Sequence, residues 1–86
     1  MNKLSNVSPG HSGVVIKLGK SGKLRRKIID MGITPGTKIT VLSVAPLGDP
    51  IKIEIRGYEL SIRKSECQEI IIDEEKEAIK SNNELN

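Results

Sequence analysis

The chain has 86 residues, a formal net charge of +3, 36% hydrophobic side chains and a lone aromatic residue, Tyr58. A chain this short forms one domain, buries only about 60% of the surface its unfolded state exposes, and has little material with which to wall a deep catalytic cleft. The lone Cys67 cannot close an internal disulfide, and no apolar run has the form of a signal peptide or approaches the ~20 residues of a membrane helix, so a soluble cytoplasmic protein is expected.

Leu4 to Gly10 reads as a lead-in that ends in a Pro9-Gly10 reversal. Gly13–Leu18 is rich in β-branched residues and predicts a strand, which Gly19-Lys20-Ser21-Gly22 breaks. The period then changes. Leu24, Ile28 and Met31 fall on one stripe of a short helix, and Gly32 stands where such a helix stops. Thr34-Pro35-Gly36-Thr37 predicts a type II turn, with Pro35 fixing φ and Gly36 admitting a positive φ.

Lys38–Val44 is strand again. Ile39 and Val41 alternate with Leu42 and Val44, which predicts cover on both faces over part of its length. Ala45–Pro50 is a loop, because Pro46 and Pro50 lack the ladder donor. Ile51, Ile53 and Ile55 point inward while Lys52, Glu54 and Arg56 point out. Gly57-Tyr58 is expected to turn the hairpin, with Leu60 and Ile62 on the return strand. Lys64–Cys67 reads as a short turn before a last strand around Glu69–Ile72. Together these predict an all-β domain over 1–73, a small SH3-like antiparallel barrel of about five strands with one short inserted helix. Residues 74–86 are too polar to pack and are expected to form a C-terminal tail.

Catalytic chemistry is missing. His11 and Cys67 do not supply a zinc ligand set, and no acidic cluster has the spacing of a calcium loop, so no metal site and no cofactor is assigned. His11 stands beside Ser12 without a candidate orienting acid, and Gly19–Gly22 is too short for a phosphate loop. What does stand out is charge: Lys17, Lys20, Lys23, Arg25, Arg26 and Lys27 crowd one short stretch. Such charge suits phosphates. Small barrels that hold nucleic acid, however, interleave it with stacking aromatics, and grooves for proline peptides are aromatic-lined. With Tyr58 alone, protein docking is favoured over a nucleic-acid-binding barrel, and no nucleic acid is expected as partner.

The stretch Leu24-Arg25-Arg26-Lys27-Ile28-Ile29-Asp30-Met31-Gly32-Ile33-Thr34-Pro35-Gly36, followed by Val44-Ala45-Pro46-Leu47-Gly48-Asp49-Pro50-Ile51, resembles the FeoA family. These are small cytosolic accessory proteins of the bacterial ferrous iron transporter FeoB, and the resemblance runs from about Leu4 to Asp73. It implies an SH3-like barrel with an inserted helix, in agreement with the strand reading. A related barrel forms the C-terminal domain of iron-dependent repressors, so a metal-sensing domain, with transition-metal binding, stands as an alternative.

The resemblance implies a non-catalytic regulatory role in ferrous iron uptake, by docking to the cytosolic portion of a FeoB-type transporter. The membrane would be reached through that partner only. Arg25, Lys27 and Met31 match the family's basic-then-apolar helix, and Pro46, Leu47 and Asp49 lie in its loop, so these six are the candidate partner-binding residues. Gly32, Pro35, Gly36, Gly48 and Pro50 are assigned to turn geometry.

Overall fold

The computed structural model describes residues 1–19 and 22–74. The elements run β1 (Asn2–Lys3), a 3₁₀ turn (Leu4–Asn6), β2 (Ser12–Leu18), α1 (Gly22–Asp30), β3 (Lys38–Val44), β4 (Ile51–Ile55), β5 (Tyr58–Ile62), α2 (Lys64–Cys67) and β6 (Ile70–Glu74). The six strands form one antiparallel sheet in the order β1-β6-β2-β3-β4-β5. Among the described residues the fold is mostly β, with a single helix of more than one turn. The expected tail lies outside the described residues except for Glu74, which ends β6.

The core is aliphatic, as a chain nearly free of aromatics requires. Val15, Ile28, Ile33, Ile39, Val41, Ile53, Ile55, Ile62, Ile70 and Ile72 are all buried. The β4 reading holds residue by residue, since Ile51, Ile53 and Ile55 are buried between exposed Lys52 and Glu54. Gly13 is needed for close approach. A Cβ there would stand 2.5 Å from Ile72 Cδ1 and 2.9 Å from the Asp73 carbonyl oxygen.

In three places the structure departs from the expectations above. The lead-in is structural: Lys3 and Asn2 pair with Ile71 and Ile72 as a sixth strand, and Leu4 and Val7 are buried. Two residues of strand carry too little periodicity to register in a sequence pattern. The mixed apolar pattern of β3 comes from a β-bulge rather than from cover on both faces. Val41 pairs with Ile53 but Ser43 with Lys52, so Leu42 is the extra residue, and past it Val44 pairs with Ile51 but is exposed at the strand end. A like shift in β2 leaves Ile16 unpaired between Val15 and Lys17. Finally, the β4–β5 hairpin turns at Arg56-Gly57, one residue earlier than expected, because Ile55 pairs with Tyr58. Both turn residues have positive φ, +48° at Arg56 and +84° at Gly57, the geometry of a type I′ turn that follows the twist of the strands.

Candidate docking site

The expected helix stripe is found. Ile28 is buried, and Leu24 and Met31 are half-buried against the core. The helix closes in a Schellman motif: Gly32 N–H donates to the Ile29 carbonyl at 2.9 Å and Ile33 N–H to the Ile28 carbonyl at 3.2 Å. Gly32 has φ +94°, and buried Ile33 and Ile28 supply the hydrophobic contact that accompanies the motif. The Tyr58 hydroxyl donates to the Met31 carbonyl at 3.4 Å, which ties the β4–β5 hairpin to this end of α1. The opposite face of α1 is open. Lys23, Arg25, Arg26, Lys27 and Asp30 are exposed there, and so is Ile29 at 39%. Ile29 lies one turn from Arg25 and Arg26, so the basic face carries an apolar centre.

The second segment, the Ala45–Pro50 loop, is held at its base. Ala45 N–H donates to the Pro50 carbonyl at 3.0 Å, and Gly48 N–H to the Ala45 carbonyl at 2.7 Å. Gly48 adopts φ +92°, and Leu47 is left 96% exposed at the tip. At that exposure the Leu47 side chain adds nothing to the core. Asp49 behaves differently. Its Oδ1 accepts from Lys64 N–H at 2.9 Å, so it caps the first turn of α2.

α2 is the point where both segments meet. Glu66 is buried, and one carboxylate oxygen accepts from Arg63 N–H at 2.9 Å while the other lies 2.8 Å from Lys27 Nζ. Burial pushes this carboxyl upward, but the hydrogen bonds from Lys27 and from the Arg63 backbone, with the two positive charges, outweigh it and hold Glu66 below 4.5. Lys27 thus pins α1, and Asp49 pins the loop, to residues two apart on one helical turn. Both segments are therefore anchored on α2. Buried Cys67 follows directly; burial, then the charges of Glu66 and Asp49, push its thiol up to about 12. It is a packed thiol at neutral pH and neither a nucleophile nor a ready metal ligand.

Of the six candidate partner-binding residues, Arg25, Pro46 and Leu47 are exposed and free of structural duty in the hydrogen bonds and ion pairs described. Met31 packs on the core, and Lys27 and Asp49 hold α2. Gly32, Gly36 and Gly48 all have positive φ, and Thr37 N–H donates to the Thr34 carbonyl at 3.0 Å across the Pro35-Gly36 turn. The sequence reading placed Arg26 off the buried stripe but left it and Ile29 out of the candidate partner-binding residues, and it missed Glu66 as the link. The capping pattern that would have flagged Glu66 has Ser or Thr three residues earlier, and here that position is Arg63.

Among the described residues no group of three or more His, Cys, Asp or Glu side chains could hold a metal ion, and no helix is long and apolar enough to cross a membrane. The FeoA domain model matches residues 2–74. A FeoA-like protein from Clostridium acetobutylicum, solved by NMR, superposes with a TM-score of 0.80 at 44% identity, covering 84% of each chain. The crystal structure of Stenotrophomonas maltophilia FeoA, described as a prokaryotic SH3 domain protein, superposes with a TM-score of 0.73 over 87% of this chain and 96% of that one; at 21% identity the likeness speaks for the fold alone. In Porphyromonas gingivalis, a protein named as a fusion of Fe(2+) transport protein A and Fe(2+) transporter FeoB is 35% identical over 71 residues, which are 83% of this chain and 8% of the fusion protein. The family match over residues 2–74 and these relatives agree with the SH3-like sheet and its inserted helix, and the chain belongs to the FeoA family, which is linked to ferrous iron transport.

Proposed function

We propose that this chain is a non-catalytic cytoplasmic accessory protein of ferrous iron uptake that docks onto the cytosolic portion of a FeoB-type transporter. The observation that carries this reading is the relative in which a FeoA-type segment and a FeoB transporter form one named fusion protein. Joining two modules in one chain raises their effective concentration to the millimolar range, an arrangement suited to partners that act on each other through modest contacts. The surface offered is that of α1 and the Ala45–Pro50 loop. Arg25 and Arg26 supply charge to steer the encounter, and Ile29 and Leu47 supply apolar contact.

Retention of the full chain on the detergent-solubilised transporter tests this. Arg25→Glu, Arg26→Glu and Leu47→Asp together are expected to abolish retention while leaving the fold intact, because none of the three side chains is buried. Lys27 and Asp49 are left unchanged in this variant, since both hold α2. Full retention of the triple variant would remove this surface from the reading, and absence of retention by the unaltered chain would remove the docking itself.

A further inference from the structure

A groove of about 620 Å³ lies beside α2, lined by Met1, Lys3, Lys17, Lys64, Gln68 and Ile71 among others and by no residue of α1. Strand register builds its floor. Ile71 of β6 pairs with Lys3 of β1 on one side and with Lys17 of β2 on the other. Paired residues of antiparallel neighbours share a face, so two ammonium groups flank one half-buried isoleucine. Two strand spacings separate the flanking backbones by roughly 10 Å. Lys64, on α2, and Gln68, which follows that helix, close one end. Asn2 Oδ1 accepts from Lys3 N–H at 3.0 Å and from Asn6 Nδ2 at 3.2 Å, which fixes the N-terminal wall.

Among the described residues these charges are unspent: no carboxylate lies within ion-pairing distance of Lys3, Lys17 or Lys64, and no acidic side chain lines the groove. Lys27 on α1 contrasts with them, its charge being engaged by Glu66. A small inorganic anion would leave the Ile71 floor unused, and nucleic acid would find no aromatic platform. An extended peptide with acidic side chains two residues before and after an apolar one presents all three on one face and matches the order Lys3, Ile71, Lys17 by charge and by polarity.

We infer that this groove is a second docking surface, separate from the α1 face, and that it takes an extended acidic segment of a partner protein. The identity of that partner as the transporter rests on the docking reading above; the chemistry of the groove does not. Each exposed ion pair contributes at most about 1 kcal/mol, so the groove binds weakly alone and adds to contacts made elsewhere.

The probe is a short peptide of the repeat Glu-Ser-Ile-Ser, which when extended sets glutamate and isoleucine by turns along one face, titrated into the full chain and followed by amide NMR shifts. The expected result is shifts centred on Lys3, Lys17, Lys64, Gln68 and Ile71, with affinity falling as salt is raised. Lys3→Glu with Lys17→Glu should weaken binding about tenfold or more, while Arg25→Glu with Arg26→Glu should leave it unchanged. Shifts centred instead on α1, equal affinity of the Lys3/Lys17 variant, or binding to phosphatidylserine vesicles without binding to the peptide would each overturn the proposal. So would tighter peptide binding after Glu75→Gln, Glu77→Gln and Glu84→Gln, because the chain's own acidic residues would then be the occupant. Failure of the transporter to retain the chain, with peptide binding intact, would count against the docking reading and leave the groove assigned.

Discussion

Lys27 Nζ stands 2.8 Å from a carboxylate oxygen of Glu66, and this contact joins α1 to α2. The two ends of the pair are unequal. The Glu66 side chain is 4% exposed and the Lys27 side chain 61%, so the carboxylate depends on the pair more than the ammonium does. Loss of Glu66 frees an N–H and an ammonium that water can reach in part, whereas loss of Lys27 leaves a buried negative charge with one backbone donor.

Lys27→Met is expected to lower the stability of the folded chain by about 2–3 kcal/mol, because it leaves the buried Glu66 carboxylate with one backbone donor, and Glu66→Ala by about 1–2 kcal/mol, because water reaches the freed ammonium. In a double-mutant cycle read by urea unfolding, the coupling between them should be about 1 kcal/mol. Additive effects would mean that the contact is a surface pairing of no structural consequence.

Glu66 also sets an acid limit on stability. Its folded carboxyl titrates below the 4.5 of an unfolded glutamate, so the unfolded chain takes up its proton first as pH falls. The stabilisation is complete above 4.5 and is lost as pH drops from there through the folded value. Thermal unfolding from neutral to acidic pH should show the melting temperature of Glu66→Gln falling less below 4.5 than that of the unaltered chain. Parallel curves would remove Glu66 as the source.

Arg56 occupies a left-handed position, φ +48°, where a long side chain is disfavoured and asparagine is at ease. Arg56→Asn is expected to stabilise the chain by about 0.5–1 kcal/mol, seen as a rise in melting temperature of roughly 3–6 °C. A fall would show that the Arg56 side chain, which approaches Gly32, contributes more than its backbone costs.

Much of this fold is legible because its signals are local. The Leu24, Ile28, Met31 stripe, the Gly32 stop, the Pro35-Gly36 turn and the β4 alternation each depend on residues within one turn or one strand of each other. Local rules gave the β4–β5 turn one residue late, because either Arg56-Gly57 or Gly57-Tyr58 satisfies them and cross-strand packing of Ile55, Ile53 and Ile51 against Tyr58, Leu60 and Ile62 decides the register. The bulges at Ile16 and Leu42 are invisible to any fixed period, since they are the points where the period breaks.

The candidate surface divides in the same way. Leu47 and Arg25 could be picked out from the residues and their family resemblance, and both are exposed. That Lys27 and Asp49 are committed to α2 could not, because their partners are Glu66 and Lys64, far along the chain. The row of Lys3, Ile71 and Lys17 has no sequence signature at all, being drawn from three strands whose order is not their order in the chain.

By itself, then, the sequence determined the aliphatic β-rich core, the placing of the helix and turns, and the family, because hydrophobic period, glycine conformation and motif spacing act between near neighbours. Which charges are spent within the fold and which remain for a partner was decided by tertiary structure alone. An ion pair depends on distances of a few ångströms, and only the folded chain brings Lys27 to Glu66 while leaving Lys3 and Lys17 on either side of Ile71 without a carboxylate among the described residues.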